Sequence, residues 1–273
     1  MKNLLHSLNR PTRITAFYLT LLYGLAILLR NEPQFIVHEA VRIGSLTLGL
    51  VLPHLVGVWT KKLQPRPANL LITLLILALL AHPTTPPGLM VLLGLTTTLG
   101  KTLLRIQRHP VFNPAAAGLF AASFFGVWPT WWGVSFSPRF TSLNISIAML
   151  LTVPVGLYVI WRYQKLPTLI GTAGALVVAY FYLYKTVPVY IITEGTFAFF
   201  LFIMATEPKT TPVVDWQEWV FGILLGAFLA WLLFWGTPMP YLTSLLGLNL
   251  LFSVFKFFEV KWTLRSTKPH PAS

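Results

Sequence analysis

From Trp219 to Phe255 the chain carries no charged residue. So long an apolar stretch must bond its backbone N–H and C=O groups to one another, because a bilayer interior supplies no water to take their place. It reads as two helical spans, Trp219 to Trp235 and Tyr241 to Phe258, with Gly236, Pro238 and Pro240 turning the run into a hairpin. Further apolar windows lie near Ile14 to Leu29, Ile43 to Thr60, Ala68 to His82, Gly88 to Leu104, Asn113 to Val127, Leu143 to Trp161, Pro167 to Tyr184 and Val189 to Thr206. Together they make about ten candidate crossings of a hydrocarbon core roughly 30 Å thick. The predicted fold class is all-α: one polytopic membrane domain over residues 1–273.

Composition excludes the main alternatives. With 55% hydrophobic and 10% charged residues, the chain does not read as a soluble globular protein. Its net charge of +13 and pI near 10.2 would suit a nucleic-acid partner if the basic residues formed a patch. They occur instead in short clusters between apolar runs, so no nucleic-acid partner is expected and the lipid bilayer is. There is no cysteine, which rules out a disulfide and a Cys-ligated iron–sulfur cluster, so redox chemistry would need a bound organic cofactor. Met1 to Arg13 is basic and leads into the first apolar run without a small-residue cleavage signal, and reads as part of a retained first span.

The basic residues orient the spans. With the N-terminus inside, Lys2, Arg10, Arg13, Lys61, Lys62, Arg66, Lys101, Arg105, Arg108, Arg162, Lys165, Lys209, Lys256, Lys261, Arg265 and Lys268 all fall on the inner side. Of the 20 Lys and Arg, only Arg30, Arg42, Arg139 and Lys185 remain outside. That asymmetry predicts about ten spans with both termini cytoplasmic. The expected outer loops are nearly charge-free, and Trp128, Trp131 and Trp132 in one of them suggest an interfacial aromatic belt.

Two polar motifs then come to the same face. In R-H-P-V-F-N-P-A-A, Asn113 is a good N-cap and Pro114 a good first helical residue, so the fifth span starts there. Such a terminus can hold an anion, with Lys101 and Arg105, expected on one helix face, and Arg108 close by. Plain helix capping and retention of positive charge inside account for the same residues. In M-A-T-E-P, Pro208 stops the eighth span after Thr206 and Glu207. Glu207 is acidic where Lys and Arg are usual: it pairs with a nearby cation, holds a cofactor's polar ring, or is a simple boundary carboxylate. Glu194, read as the one acidic residue well inside an apolar run, either lines an ion path or snorkels to the outer interface. His54 and His82 lack a second ligand at metal spacing, so no metal site is expected. Gly24, Gly49, Gly94, Gly100, Gly118, Gly171, Gly174, Gly222 and Gly226 are expected to let helices pack closely.

The stretch from Pro86 to Gly118, P-P-G-L-M-V-L-L-G-L-T-T-T-L-G-K-T-L-L-R-I-Q-R-H-P-V-F-N-P-A-A-A-G, resembles a segment of the NqrB/RnfD family of membrane proteins. Gly195 to Val213, G-T-F-A-F-F-L-F-I-M-A-T-E-P-K-T-T-P-V, is similar to that family's later signature, with Glu207 in place of the usual Asp. The resemblance implies a membrane component of a flavin-dependent electron-transport complex, coupled to Na⁺ or H⁺ movement in the cytoplasmic membrane. It implies other membrane and peripheral subunits as partners. It also implies a fold similar to urea transporters, with two inverted five-helix repeats over 1–138 and 139–273. By the same resemblance Lys101, Arg105, Asn113, Pro114, Thr206 and Glu207 become cofactor-binding candidates, and Glu194 an ion-path candidate. The family's S-G-A-T sequence, whose Thr carries FMN, is absent. Thr130, Thr141 and Ser142 offer hydroxyls without that motif, so covalent FMN is not expected and any flavin, FMN or riboflavin, would be noncovalent. Two further readings remain on the same scaffold: a small-solute or ion permease, and a structural subunit without its own cofactor.

Overall fold

Proline punctuates the helices. In the computed structural model, which describes residues 11–30, 33–60, 67–106, 109–135, 147–207, 210–212 and 214–266, six helices begin on a proline. They are α1 (Pro11–Arg30), α2 (Pro33–Trp59), α3 (Pro67–Leu80), α4 (Pro87–Leu103), α5 (Pro114–Ser123) and α12 (Pro240–Ser266). The first helical position suits proline because its missing N–H would have had no partner there. Between these lie α6 (Trp132–Ser135), α7 (Ile147–Tyr163), α8 (Leu166–Tyr184), α9 (Val189–Ile192), α10 (Gly195–Phe199) and α11 (Asp215–Phe234). Of the residues singled out above, Arg108, Arg139, Thr141, Ser142, Pro208 and Lys209 lie outside the described set, as do Lys2, Arg10, Lys61, Lys62, Arg66 and Lys268.

The chain is mostly helical. Among the described residues α1, α2, α8 and α11 are long and apolar enough to cross a membrane, and several shorter apolar helices accompany them. These four helices point to membrane association. Several exposed aromatic side chains lie near helix ends, among them Trp59, Trp161, Trp216, Phe124, Tyr182 and Trp235, and Trp128 is exposed in the loop after α5.

Two helix pairs set the packing. α2 lies along α4, and α8 along α11, each through glycine. A Cβ on Gly94 would come within 2.6 Å of the Gly49 backbone, and one on Gly222 within 2.7 Å of the Thr168 carbonyl oxygen. Gly118, Gly171 and Gly226 also meet a neighbouring helix closely, but Gly24 and Gly174 face open space and Gly100 makes only ordinary contact. The expectation that these last three mediate close packing is therefore corrected.

The centre is built from short pieces. Every residue from Leu75 to Ala81 at the end of α3 is buried, and so is every residue from Phe197 to Thr206. In the second of these α10 continues into a π-helical turn, Phe200–Met204, where the Ala205 N–H reaches back five residues to the Phe200 carbonyl at 2.8 Å. Both segments are wrapped by neighbours on all sides, which is why neither needs a polar face.

A buried ion pair ties α2 to the end of α3. Arg42 and Glu39 sit one turn apart within α2, because this helix starts at Pro33 and not near Ile43. The Arg42 guanidinium donates to both Glu39 oxygens, at 2.6 and 2.7 Å, and to the carbonyls of Ala78, Ala81 and His82 at 2.8 to 3.2 Å. A fork of donors thus satisfies the orphan carbonyls at a helix C-terminus. The Tyr23 hydroxyl donates to Glu39. Trp132 closes this cluster, its Nε1 donating to the Ala78 carbonyl at 2.7 Å. Trp131 packs edge-on to Phe199 and Tyr241. Of the three tryptophans expected in a belt, only Trp128 is exposed; Trp131 and Trp132 are buried by these contacts.

Candidate functional site

The two polar motifs meet. A cleft of about 130 Å³ is lined by Lys101 from α4, Asn113 and Pro114 from the start of α5, and Thr206 and Glu207 after the π-helical turn. Five of the six residues expected to bind a cofactor therefore line one cleft. Arg105 does not line it. α4 stops at Leu103, and Arg105 enters a short hairpin, Arg105–Ile106 paired antiparallel with His109–Pro110 in the register Arg105 to Pro110 and Ile106 to His109. Lys101 and Arg105 consequently do not share a helix face; Arg105 Nε instead donates to the Lys101 carbonyl at 2.7 Å.

The start of α5 is capped as its sequence predicts. Asn113 Oδ1 accepts from the Ala116 N–H at 3.1 Å, and the Asn113 carbonyl accepts from Ala117 at 2.9 Å. Pro114 has no N–H. Capping thereby uses most of the donors that an anion would need, leaving at most the Ala115 N–H for a ligand.

The rest of the lining comes from residues that the motifs did not reveal. Asn69 and Thr73, one turn apart on α3, face the cleft with Thr12 and Thr15 of α1 and Tyr163 of α7. Their i, i+4 and i, i+3 spacing inside apolar helices was the available signal. Ile72, Ile76, Val159, Phe202 and Ile203 supply the apolar surface. The cleft thus draws on residues from Thr12 to Glu207, with α3 and the π-helical turn among its walls.

Two buried devices hold segments that adjoin the cleft. Asn249 of α12, fully buried, links the motifs: with its amide turned to satisfy both groups, it accepts from the Asn113 N–H and donates to the Thr210 carbonyl, each at 3.2 Å. Lys165 at the start of α8 donates to the Pro212 carbonyl and, at 2.6 Å, to Glu218 Oε1 of α11. Both partners of this pair are buried, so the loop after Glu207 is anchored to two different helices.

Glu194 lies elsewhere. It is the N-cap residue of α10, half-buried in extended backbone (φ −78°, ψ 139°), where Thr193 and Glu194 separate α9 from α10. Nor is it alone as an acidic residue within an apolar helix, since Glu39 and Glu218 are buried in α2 and α11. Thr130 is exposed, with its N–H bonded to the Leu80 carbonyl at 2.8 Å.

The cleft as it stands is small for an isoalloxazine. Pockets that bury a ligand of that size run to roughly 300–1,000 Å³. The flavin ring's polar edge is mostly acceptor, and since Thr15, Thr73 and Thr206 have already given their hydroxyl protons to backbone carbonyls, side-chain donors to it would come from residues such as Asn69 and Asn113. No protein-family model matches the chain, and no curated protein matches it.

Proposed function

We propose that this chain is a membrane subunit of a flavin-dependent electron-transport complex coupled to Na⁺ or H⁺ movement, acting with other membrane and peripheral subunits. The supporting observation is the meeting of both family-like stretches, through Lys101, Asn113, Pro114, Thr206 and Glu207, at one cleft. Any flavin in this reading, FMN or riboflavin, is noncovalent.

The proposed topology is about ten spans in the cytoplasmic membrane, with both termini cytoplasmic and two inverted five-helix halves. Trp59, Trp161 and Trp216 then fall at inner helix ends and Trp128, Tyr182 and Trp235 at outer ends, as interfacial aromatics should. The pairing of α2 with α4 and of α8 with α11, and the burial of the end of α3 in one half and of α10 with its π-helical turn in the other, fit a repeated unit. The test is direct. Purified complex in mild detergent should show a flavin spectrum, and denaturation should release the flavin to the supernatant. Complete absence of flavin from fresh, intact complex overturns the electron-transfer reading, and fluorescence on the protein band overturns noncovalent binding.

A second reading is favoured by the cleft itself, whose small polar groups come from helices of both halves. On it the chain passes a small solute or ion. Solute flux into liposomes without a reductant is its expected signature.

A further inference from the structure

We infer that the buried Lys165–Glu218 pair is a latch beside the inner mouth of the cleft, one that opens and closes within the folded protein; its inner position rests on the topology proposed above. The latch has a counterpart. In each, a cation joins a buried glutamate to backbone carbonyls that follow a central helical segment: Arg42 with Glu39 at the end of α3, and Lys165 with Glu218 after the π-helical turn. The two differ in how fully they are bonded. Arg42 donates to both Glu39 oxygens and to three carbonyls, and Glu39 accepts from Tyr23 as well. The Lys165 ammonium, with three N–H donors, bonds Pro212 and Glu218 Oε1. Among the described residues Glu218 Oε2 has no partner, and neither do the hydroxyls of Thr210 and of Thr168, one turn along α8. All three residues are buried. Unbonded buried polar atoms carry a desolvation penalty that water would remove. Opening admits water to them, and this offsets part of the cost of parting the ion pair.

The backbone supplies the joint. Gln164, between α7 and α8, has φ 56°, a left-handed conformation uncommon for a residue with a side chain. Tyr163 on one side of it lines the cleft, and Lys165 on the other makes the latch. Thr210 and Pro212 lie shortly after Thr206 and Glu207, which also line the cleft. Parting Lys165 from Glu218 and Pro212 therefore frees the lining at two places. Further along, Gly222 and Gly226 hold α11 in close contact with Thr168 and Thr172 of α8, which confines the opening to the inner ends of the two helices.

A chain without cysteine can report such opening directly. In the full-length protein in detergent, Thr210→Cys, buried beside the latch, should react with a maleimide faster than Ala81→Cys, buried beside the Arg42 pair. Lys165→Met should speed the Thr210→Cys reaction about tenfold or more, the scale of one hydrogen bond to a charged group. Thr168→Val keeps the shape and removes an unpartnered hydroxyl from the closed state, so it should slow that reaction about threefold or more. Neither variant should change the Ala81→Cys rate, because the opening is local. Thr168→Val carries the test alone if Lys165→Met does not fold. A Thr210→Cys rate no faster than that of Ala81→Cys overturns the latch. So does a rate that Thr168→Val leaves unmoved, or one that changes in parallel with Ala81→Cys. An impermeant maleimide on sealed vesicles separates the latch from the topology: labelling of Thr210→Cys only from the outer side keeps the latch and overturns its inner position.

Discussion

Asn249 is the residue whose replacement most directly tests how the cleft is held. It bonds the Asn113 N–H of the first motif and the Thr210 carbonyl just after the second. Asn249→Leu leaves both without their partner inside the protein, at a cost of about 1–3 kcal/mol per group. Thermal unfolding in detergent should report that loss, and an unchanged midpoint would show that the bridge is not made. Lys165 and Glu218 form a different kind of contact. Removing one partner of a buried pair costs about 3–5 kcal/mol, whereas replacing both by apolar residues is often close to neutral. The double variant Lys165→Met/Glu218→Leu should therefore be more stable than Lys165→Met alone. Equal stabilities of the two proteins would mean that the pair is not electrostatically coupled. Neither residue is marked as a site candidate by its sequence context. Lys165 reads there only as an inner positive charge, and Asn249 lies in an uncharged run, because what each does depends on a partner far along the chain.

The helices differ in what glycine does for them. Gly222 brings α11 within 2.7 Å of the Thr168 carbonyl on α8, as judged from an added Cβ, so Gly222→Leu should push the pair apart. Overpacking of this kind costs about 1–3 kcal/mol or more. Gly174 on α8 faces open space, and Gly174→Ala should leave stability unchanged or raise it by about 0.4–1 kcal/mol through the unfolded state. Similar losses from both would contradict the packing described for α8 and α11. Composition could list the glycines of these helices but could not sort them, since the helical face that meets a neighbour is set by tertiary packing. The same limit explains Trp131 and Trp132. Their sequence context suits an interfacial belt, but Phe199, Tyr241 and the Ala78 carbonyl reach them first.

At the scale of the whole molecule, the absence of cysteine makes topology easy to test. Single cysteines introduced at Trp59 and Trp216 should react with a membrane-impermeant maleimide only from the cytoplasmic side. Those at Trp128 and Trp235 should react only from the outside; any reversal would overturn the proposed topology of two inverted halves. The sequence by itself determined that this chain is helical and apolar with lengths suited to a membrane, because backbone groups in an apolar run have only helical partners. It also determined the Asn113–Pro114 helix start, since capping is a local property. Tertiary structure alone decided that N-P-A-A and A-T-E-P form one cleft, and that Asn69, Thr73 and Tyr163 complete it. It also moved Arg105 off the wall and Glu194 away from the site. Local chemistry acts over a helical turn, whereas a cleft is made by the convergence of segments that only long-range packing brings together.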